Sequence, residues 1–76
     1  MRFLLKSFLY EPPLAEHELR ALDAIRDVHG VRSVAVNEEK RNITVEYDSS
    51  HLRESDVAFM LRSAGIRLRE TQTRAA

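Results

Sequence analysis

The chain has no cysteine, no tryptophan and only two glycines among its 76 residues. Without cysteine, disulfide bonds and thiolate metal sites are both excluded. Two glycines are too few for a glycine-rich loop that cradles phosphate groups. The sequence also lacks a Ser/His/Asp spacing and a pair of carboxylates in apolar surroundings. We therefore expect a protein that is not an enzyme.

An excess of charge of either sign is also missing, because twelve basic and twelve acidic side chains give a formal net charge of +0. A chain without a basic tract is a poor ligand for a phosphate backbone, so we expect no nucleic-acid partner. Lys6 interrupts the apolar N-terminal run, and no stretch approaches the roughly 20 apolar residues of a membrane span. We expect a cytoplasmic protein that does not insert into a membrane.

The hydrophobic periodicity predicts an alternation of strands and helices. The segment over 2–10 is rich in Phe, Leu and Tyr, and apolar residues alternate with polar ones from Ile43 to Tyr47. In the helical segments apolar residues recur every three or four positions. Gly30 and Gly65 follow the two helical segments, where they are expected as left-handed caps. The predicted elements are a strand over 2–10, a helix over 14–28, a strand over 31–36, a strand from Ile43 to Tyr47, a helix over 54–64 and a strand over 66–70.

This order predicts the α+β fold class, with a ferredoxin-like βαββαβ arrangement. Right-handed crossovers place the four strands in one antiparallel sheet with both helices on the same face. We expect a single domain over residues 1–70 and a flexible tail over 71–76. In the first strand, Phe3, Leu5 and Leu9 are predicted to face the helices.

Three segments of the chain share a recognisable spacing. They are Gly30 to Asn37, with Val34 and Val36 at alternate positions, Ile43 to Asp48, which ends in Tyr-Asp, and Val57 to Ile66, which closes at a glycine followed by a large residue. Together these segments resemble the heavy-metal-associated domain family. The resemblance covers roughly residues 3–69 and implies the fold of that family. In that family a Met-x-Cys-x-x-Cys segment follows the first strand and binds soft metal ions. Its two cysteine positions fall here on Leu14 and His17, so the thiolate chemistry is not implied.

The connection after the first strand keeps other metal-binding residue types. Glu11, Glu16 and His17 lie where the family binds metal, and carboxylates with an imidazole could bind a divalent ion weakly. No other cofactor is expected. His29 and His51 are expected at the opposite end of the domain, where two loops could bring them together. Solvated surface positions are the alternative reading for all three histidines.

The face of the sheet without helices is the candidate interaction surface. The predicted strand alternation places Leu4, Phe8 and Tyr10 on this face, with Arg67 and Arg69 at its rim. An exposed apolar cluster can mark an interface, so we expect a protein partner or a homodimer to bind there. The alternatives are a metal carrier that uses His and carboxylate ligands near His17 and, by family analogy alone, an accessory domain beside a metal-transporting ATPase.

Overall fold

The computed structural model describes residues 2–69, so the predicted tail over 71–76 lies outside the described residues. The elements follow the predicted order up to the second helix. They are β1 (Phe3–Leu9), α1 (Glu16–Arg26), β2 (Val31–Asn37), β3 (Asn42–Asp48) and α2 (Glu54–Ser63).

The three strands form an antiparallel sheet in the order β1-β3-β2. β3 is the middle strand. It alternates apolar with polar residues because one face of the sheet is covered by the helices and the other face is open. Ile43, Val45 and Tyr47 are at most 1% exposed, as the sequence predicts. In the hairpin loop between β2 and β3, the Asn37 side chain accepts a hydrogen bond from the backbone N–H of Lys40 at 3.0 Å.

The predicted four-stranded sheet is present only in part among residues 2–69. Residues 67–69, the described part of the chain after Ile66, form one antiparallel bridge, between Tyr10 and Leu68, rather than a strand. Two backbone hydrogen bonds flank it, from the N–H of Glu11 to the Arg67 carbonyl and from the N–H of Arg69 to the Leu9 carbonyl, both at 2.8 Å. A ladder needs several consecutive pairs, and only three described residues follow Ile66. The described sheet therefore has three strands.

Both helices cover the same face of the sheet, in agreement with the α+β prediction. Leu22 and Ile25 of α1 join Val57 and Leu61 of α2 in the core cluster that contains the buried side chains of β3. At the start of α1, the N–H of Ala15 donates to a Glu18 carboxylate oxygen at 2.6 Å. The N–H of Arg53 donates in the same way to Asp56 at 2.8 Å. In the described part of the chain, no helix is long and apolar enough to cross a membrane.

Helix α1 is shorter than predicted and buries a narrower stripe. It begins at Glu16 rather than near residue 14, and Leu19 is 41% exposed. Residues three positions apart in a helix are rotated by about 60° relative to each other, because each residue turns about 100°. A stripe with a strict period of three therefore drifts around the helix. Leu22 and Ile25 face the sheet, and Leu19 has turned toward its edge.

The predicted orientation of β1 is wrong. Phe8 is 3% and Tyr10 is 2% exposed, so both side chains lie in the core under the helices. Leu4 belongs to the same row at the end of the strand and is 40% exposed. Phe3, Leu5 and Leu9, which were expected to be buried, alternate with this row and face away from the helices. Leu5 is 66% exposed.

Pairing with β3 explains this orientation. Phe8 is opposite the buried Ile43, and Leu5 is opposite Glu46. Residues directly opposite each other in an antiparallel pair project to the same side of the sheet, so the clear alternation of β3 decides the side for β1. β1 alone is ambiguous because both of its rows are apolar. Its buried row even includes Lys6, whose amine reaches out to Glu54 at 3.6 Å.

Candidate functional site

The sheet face opposite the helices is the first candidate site. We call this surface the open face. Leu5 is its most exposed large apolar residue, and Phe3 and Leu9 in the same row are half-buried. Strand register places polar or small residues of β3 and β2 beside them. The open face consists of Phe3, Leu5, Ser7, Leu9, Ser33, Ala35, Asn37, Asn42, Thr44 and Glu46.

Polar contacts join the strands across the open face. The hydroxyls of Ser7 and Thr44 form a cross-strand hydrogen bond at 2.8 Å. At the other end, the Arg32 guanidinium lies over the Phe3 ring, with its central carbon 4.7 Å from the ring centroid. A nitrogen of the same guanidinium is 3.9 Å from a Glu46 carboxylate oxygen. Arg32 thus shields Phe3, and Leu5 is left as the uncovered apolar side chain.

The residues predicted to bind a partner lie on different sides of the sheet. Phe8 and Tyr10 are in the core, and Leu4 projects to the helix side of the sheet. Arg67 and Arg69 are exposed and lie beside the end of β1, where their backbone groups pair with Glu11 and Leu9. Sequence reasoning missed Leu5 as an exposed residue. No local signal in the sequence could have revealed it, because both rows of β1 are apolar and only the register opposite Glu46 shows its side of the sheet.

Two of the three candidate metal ligands after β1, Glu16 and His17, contact other side chains. A Glu16 carboxylate oxygen accepts a hydrogen bond from Arg20 at 2.8 Å, one helical turn away. The Nε2 atom of His17 is 3.2 Å from a Glu18 carboxylate oxygen. Within residues 2–69, no group of three or more His, Cys, Asp or Glu side chains is arranged to hold a metal ion. Metal binding by Glu11, Glu16 and His17 stays a prediction.

At the opposite end of the domain, His29 and His51 are neighbours. Their ring centroids are 4.8 Å apart and their planes are inclined at 38°. His29 lies in the turn between α1 and β2, and His51 lies in the turn between β3 and α2. The structure therefore brings together the two loops that the sequence placed at this end. The rings line a shallow depression that also includes Asp48 and Arg32.

Asp48 is the buried carboxylate of this depression, with 6% of its surface exposed. One of its oxygens accepts hydrogen bonds from the Ser50 hydroxyl at 2.6 Å and from the Ser50 backbone N–H at 2.9 Å. These two bonds lower the pKa of Asp48, and His51 contributes a smaller Coulombic effect in the same direction. The charged carboxylate is thus the favoured form beside the two imidazoles.

Comparison with known proteins adds no assignment. No model of a known protein family matches the chain, and no curated protein matches it either. The fold and the open face define the class as a small α+β domain with an apolar surface on its sheet. The resemblance to heavy-metal-associated domains stays a prediction from the sequence.

Proposed function

We propose that the chain is a small non-enzymatic protein-interaction or accessory module that binds its partner through the open face. The scaffold proposed is that of the heavy-metal-associated domains without their thiolate site, and the location proposed is the cytoplasm. The proposal keeps Arg67 and Arg69 as rim residues. It replaces Leu4, Phe8 and Tyr10 by Phe3, Leu5 and Leu9 as the contacting row.

The exposure of Leu5 is the observation that carries this proposal. A leucine that is 66% exposed in the middle of a strand gains nothing from the core, whereas its removal from water by a partner is favourable. Phe3 on one side and Leu9, beyond Ser7, on the other add half-buried apolar surface to the same face. Single exposed leucines are common, but a leucine with apolar neighbours on a sheet face that no described helix covers is a candidate contact position.

We propose a second copy of the chain as the occupant of the open face. A two-fold interface brings the same patch of both copies together, so the patch must complement itself. The open face carries both signs of charge, with Glu46 on one strand and Arg32 beside it. Exposed arginines at positions 67 and 69 add positive charge at one rim. Because the net charge of the chain is +0, long-range repulsion does not oppose association of two copies.

We also propose that the sheet is completed as a four-stranded ferredoxin-like sheet by the segment that follows Ile66. The support is the Tyr10–Leu68 bridge, which lies on the edge of β1 that faces away from β3. Leu9 directs both of its backbone groups to this edge, because its carbonyl accepts the hydrogen bond from the Arg69 N–H there. Slow exchange of the Leu9 amide hydrogen in the monomer is the expected result. Fast exchange at Leu9 would limit the pairing to the single bridge.

The interaction proposal is tested by a charge placed on the open face. Leu5→Glu is compared with Phe59→Glu, because Phe59 is equally exposed at 67% but lies on α2, whose opposite side faces the core. Sedimentation velocity over the micromolar range should show a rise in mass with concentration for the wild type and Phe59→Glu. Leu5→Glu should weaken association at least about tenfold, since a central contact carries much of the binding energy.

Circular dichroism and thermal unfolding of both variants verify that the fold is retained. A wild-type chain that stays monomeric throughout this range would exclude the second copy as the occupant. Equal weakening by both substitutions would show that the association does not use the open face. Loss of folding in Leu5→Glu would contradict the orientation of β1, and Ser7→Glu would then test the same face at a polar position.

A further inference from the structure

The His29–His51 pair has a geometry that a metal ion could use. A divalent ion binds imidazole nitrogen at about 2.0–2.1 Å. Two imidazoles on one ion at an angle between about 90° and 110° then have ring centroids about 4.5–5.2 Å apart, which follows from that bond length and the size of the ring. The observed separation of 4.8 Å lies within this interval. Both side chains are exposed, so an ion can approach from solvent.

Backbone contacts hold the two loops in this arrangement before any ion binds. The N–H of Asp48 donates to the Gly30 carbonyl at 2.7 Å and so connects the His29 turn to the end of β3. The N–H of His51 donates to the Asp48 carbonyl at 3.0 Å. Gly30 has a φ of +99°, and a Cβ at this position would lie 3.3 Å from the His51 Cβ. The two histidines are thus fixed on adjoining, tightly packed turns.

We propose that His29 and His51 form a two-imidazole site for a divalent transition-metal ion. Imidazole suits Zn(II), Cu(II) and Ni(II). The described residues offer no third His, Cys, Asp or Glu ligand in a metal-binding arrangement, so water occupies the other coordination positions. The buried Asp48 carboxylate supplies negative charge near the ion. The positive charge of Arg32 in the same depression is directed to Phe3 and Glu46.

His29 and His51 belong neither to the open face nor to the connection after β1 that contains His17, although Phe3 of the open face lines the same depression. His17 lies in the first turn of α1, whereas His29 follows the last turn of the same helix. A bound ion would link the turn before β2 to the turn after β3, and it would stabilise the folded chain by mass action. The chain therefore contains its own control, because His17 is an exposed histidine outside the pair.

The test is a titration of the metal-free chain with Zn(II), followed by two-dimensional NMR and calorimetry at neutral pH. We expect one equivalent to bind, with shifts concentrated at residues 28–31 and 48–52. His29→Gln and His51→Gln should each weaken binding at least about tenfold, whereas His17→Gln should leave it unchanged. Zn(II) should also raise the unfolding temperature of the wild type and of His17→Gln only.

Electron paramagnetic resonance of the Cu(II) complex gives a second readout that counts nitrogen ligands. Two equivalent imidazole nitrogens are expected in the wild type and one in each variant of the pair. Retained affinity in both His29→Gln and His51→Gln would overturn the proposal. Loss of binding in His17→Gln alone would also overturn it and would move metal binding to the connection after β1. Similar weakening by all three substitutions would identify only non-specific binding and would overturn it as well.

Discussion

Large apolar side chains lie on both faces of the sheet, but their exposure to solvent differs between the two faces. β1 contributes large apolar side chains to both, yet Phe8 is 3% exposed under the helices and Leu5 is 66% exposed on the open face. The two residues are three positions apart on the same strand. The difference shows that an apolar side chain becomes a core residue only where another layer covers it. The same side chain on the uncovered side remains available to a partner.

Truncation of one residue on each face is the strongest test of this comparison. Phe8→Ala should lower the free energy of unfolding by about 3–5 kcal/mol, since it leaves a cavity among fully buried side chains. Leu5→Ala should lower it by less than about 0.5 kcal/mol, as is usual for an exposed position. Urea unfolding of both variants measures the two values. Comparable losses for the two would mean that the faces do not differ in burial.

Alkaline pH tests the covered face through a titratable group. Burial raises the pKa of the Tyr47 hydroxyl, and the Glu54 carboxylate adds a smaller effect. A pKa that is higher in the folded chain favours the protonated form there. The contribution of the Tyr47 hydroxyl to the free energy of unfolding is complete below the ordinary tyrosine pKa of about 10. This contribution is lost as the pH rises through the pKa of Tyr47 in the folded chain.

The unfolding temperature should therefore fall above about pH 10, and Tyr47→Phe should reduce the slope of this fall. The expected effect is smaller than that of Phe8→Ala, because the shape of the core is retained. Thermal unfolding from pH 8 to 11 gives the comparison. If the unfolding temperature of Tyr47→Phe falls with pH as steeply as that of the wild type, the Tyr47 hydroxyl is hydrated in the folded chain.

Lys6 belongs to the row of β1 that faces the helices, but its side chain reaches solvent. Its amine lies 3.6 Å from a Glu54 oxygen, and both side chains are about half exposed, at 43% and 57%. Lys6→Glu should lower the free energy of unfolding by up to about 1 kcal/mol, because two like charges then adjoin. The double variant Lys6→Glu/Glu54→Lys should recover most of this loss. A double variant no more stable than the single one would exclude a direct ion pair.

The smallest effect is expected on the open face. Ser7→Ala removes the 2.8 Å hydrogen bond to Thr44 and should lower the free energy of unfolding by about 0.5 kcal/mol. Thr44→Val provides the matched removal from the other strand. Chemical denaturation of both variants should give similar small losses. A loss above about 2 kcal/mol would indicate that the face is buried in the folded state.

Strong local patterns made most of the elements predictable. β3 alternates Ile43, Val45 and Tyr47 with polar residues, and α2 spaces Val57 and Leu61 one turn apart, so both were placed correctly. The glycines after the helices take positive φ values, 99° for Gly30 and 92° for Gly65, as predicted. The candidate interaction residues were less predictable. These residues lie on or beside β1, where both rows of side chains are apolar, so the sequence of the strand does not show which row is buried.

The sequence alone determined the order of the elements up to α2 and the absence of thiolate chemistry, and the handedness of crossovers led to both helices on one face. Periodicity and residue type are local properties, so they can be read from one chain. Tertiary structure decided which row of β1 is buried, because β3 imposes its orientation through register. It also decided that His29 and His51 lie 4.8 Å apart. Both depend on contacts between segments distant in sequence, which no local pattern encodes.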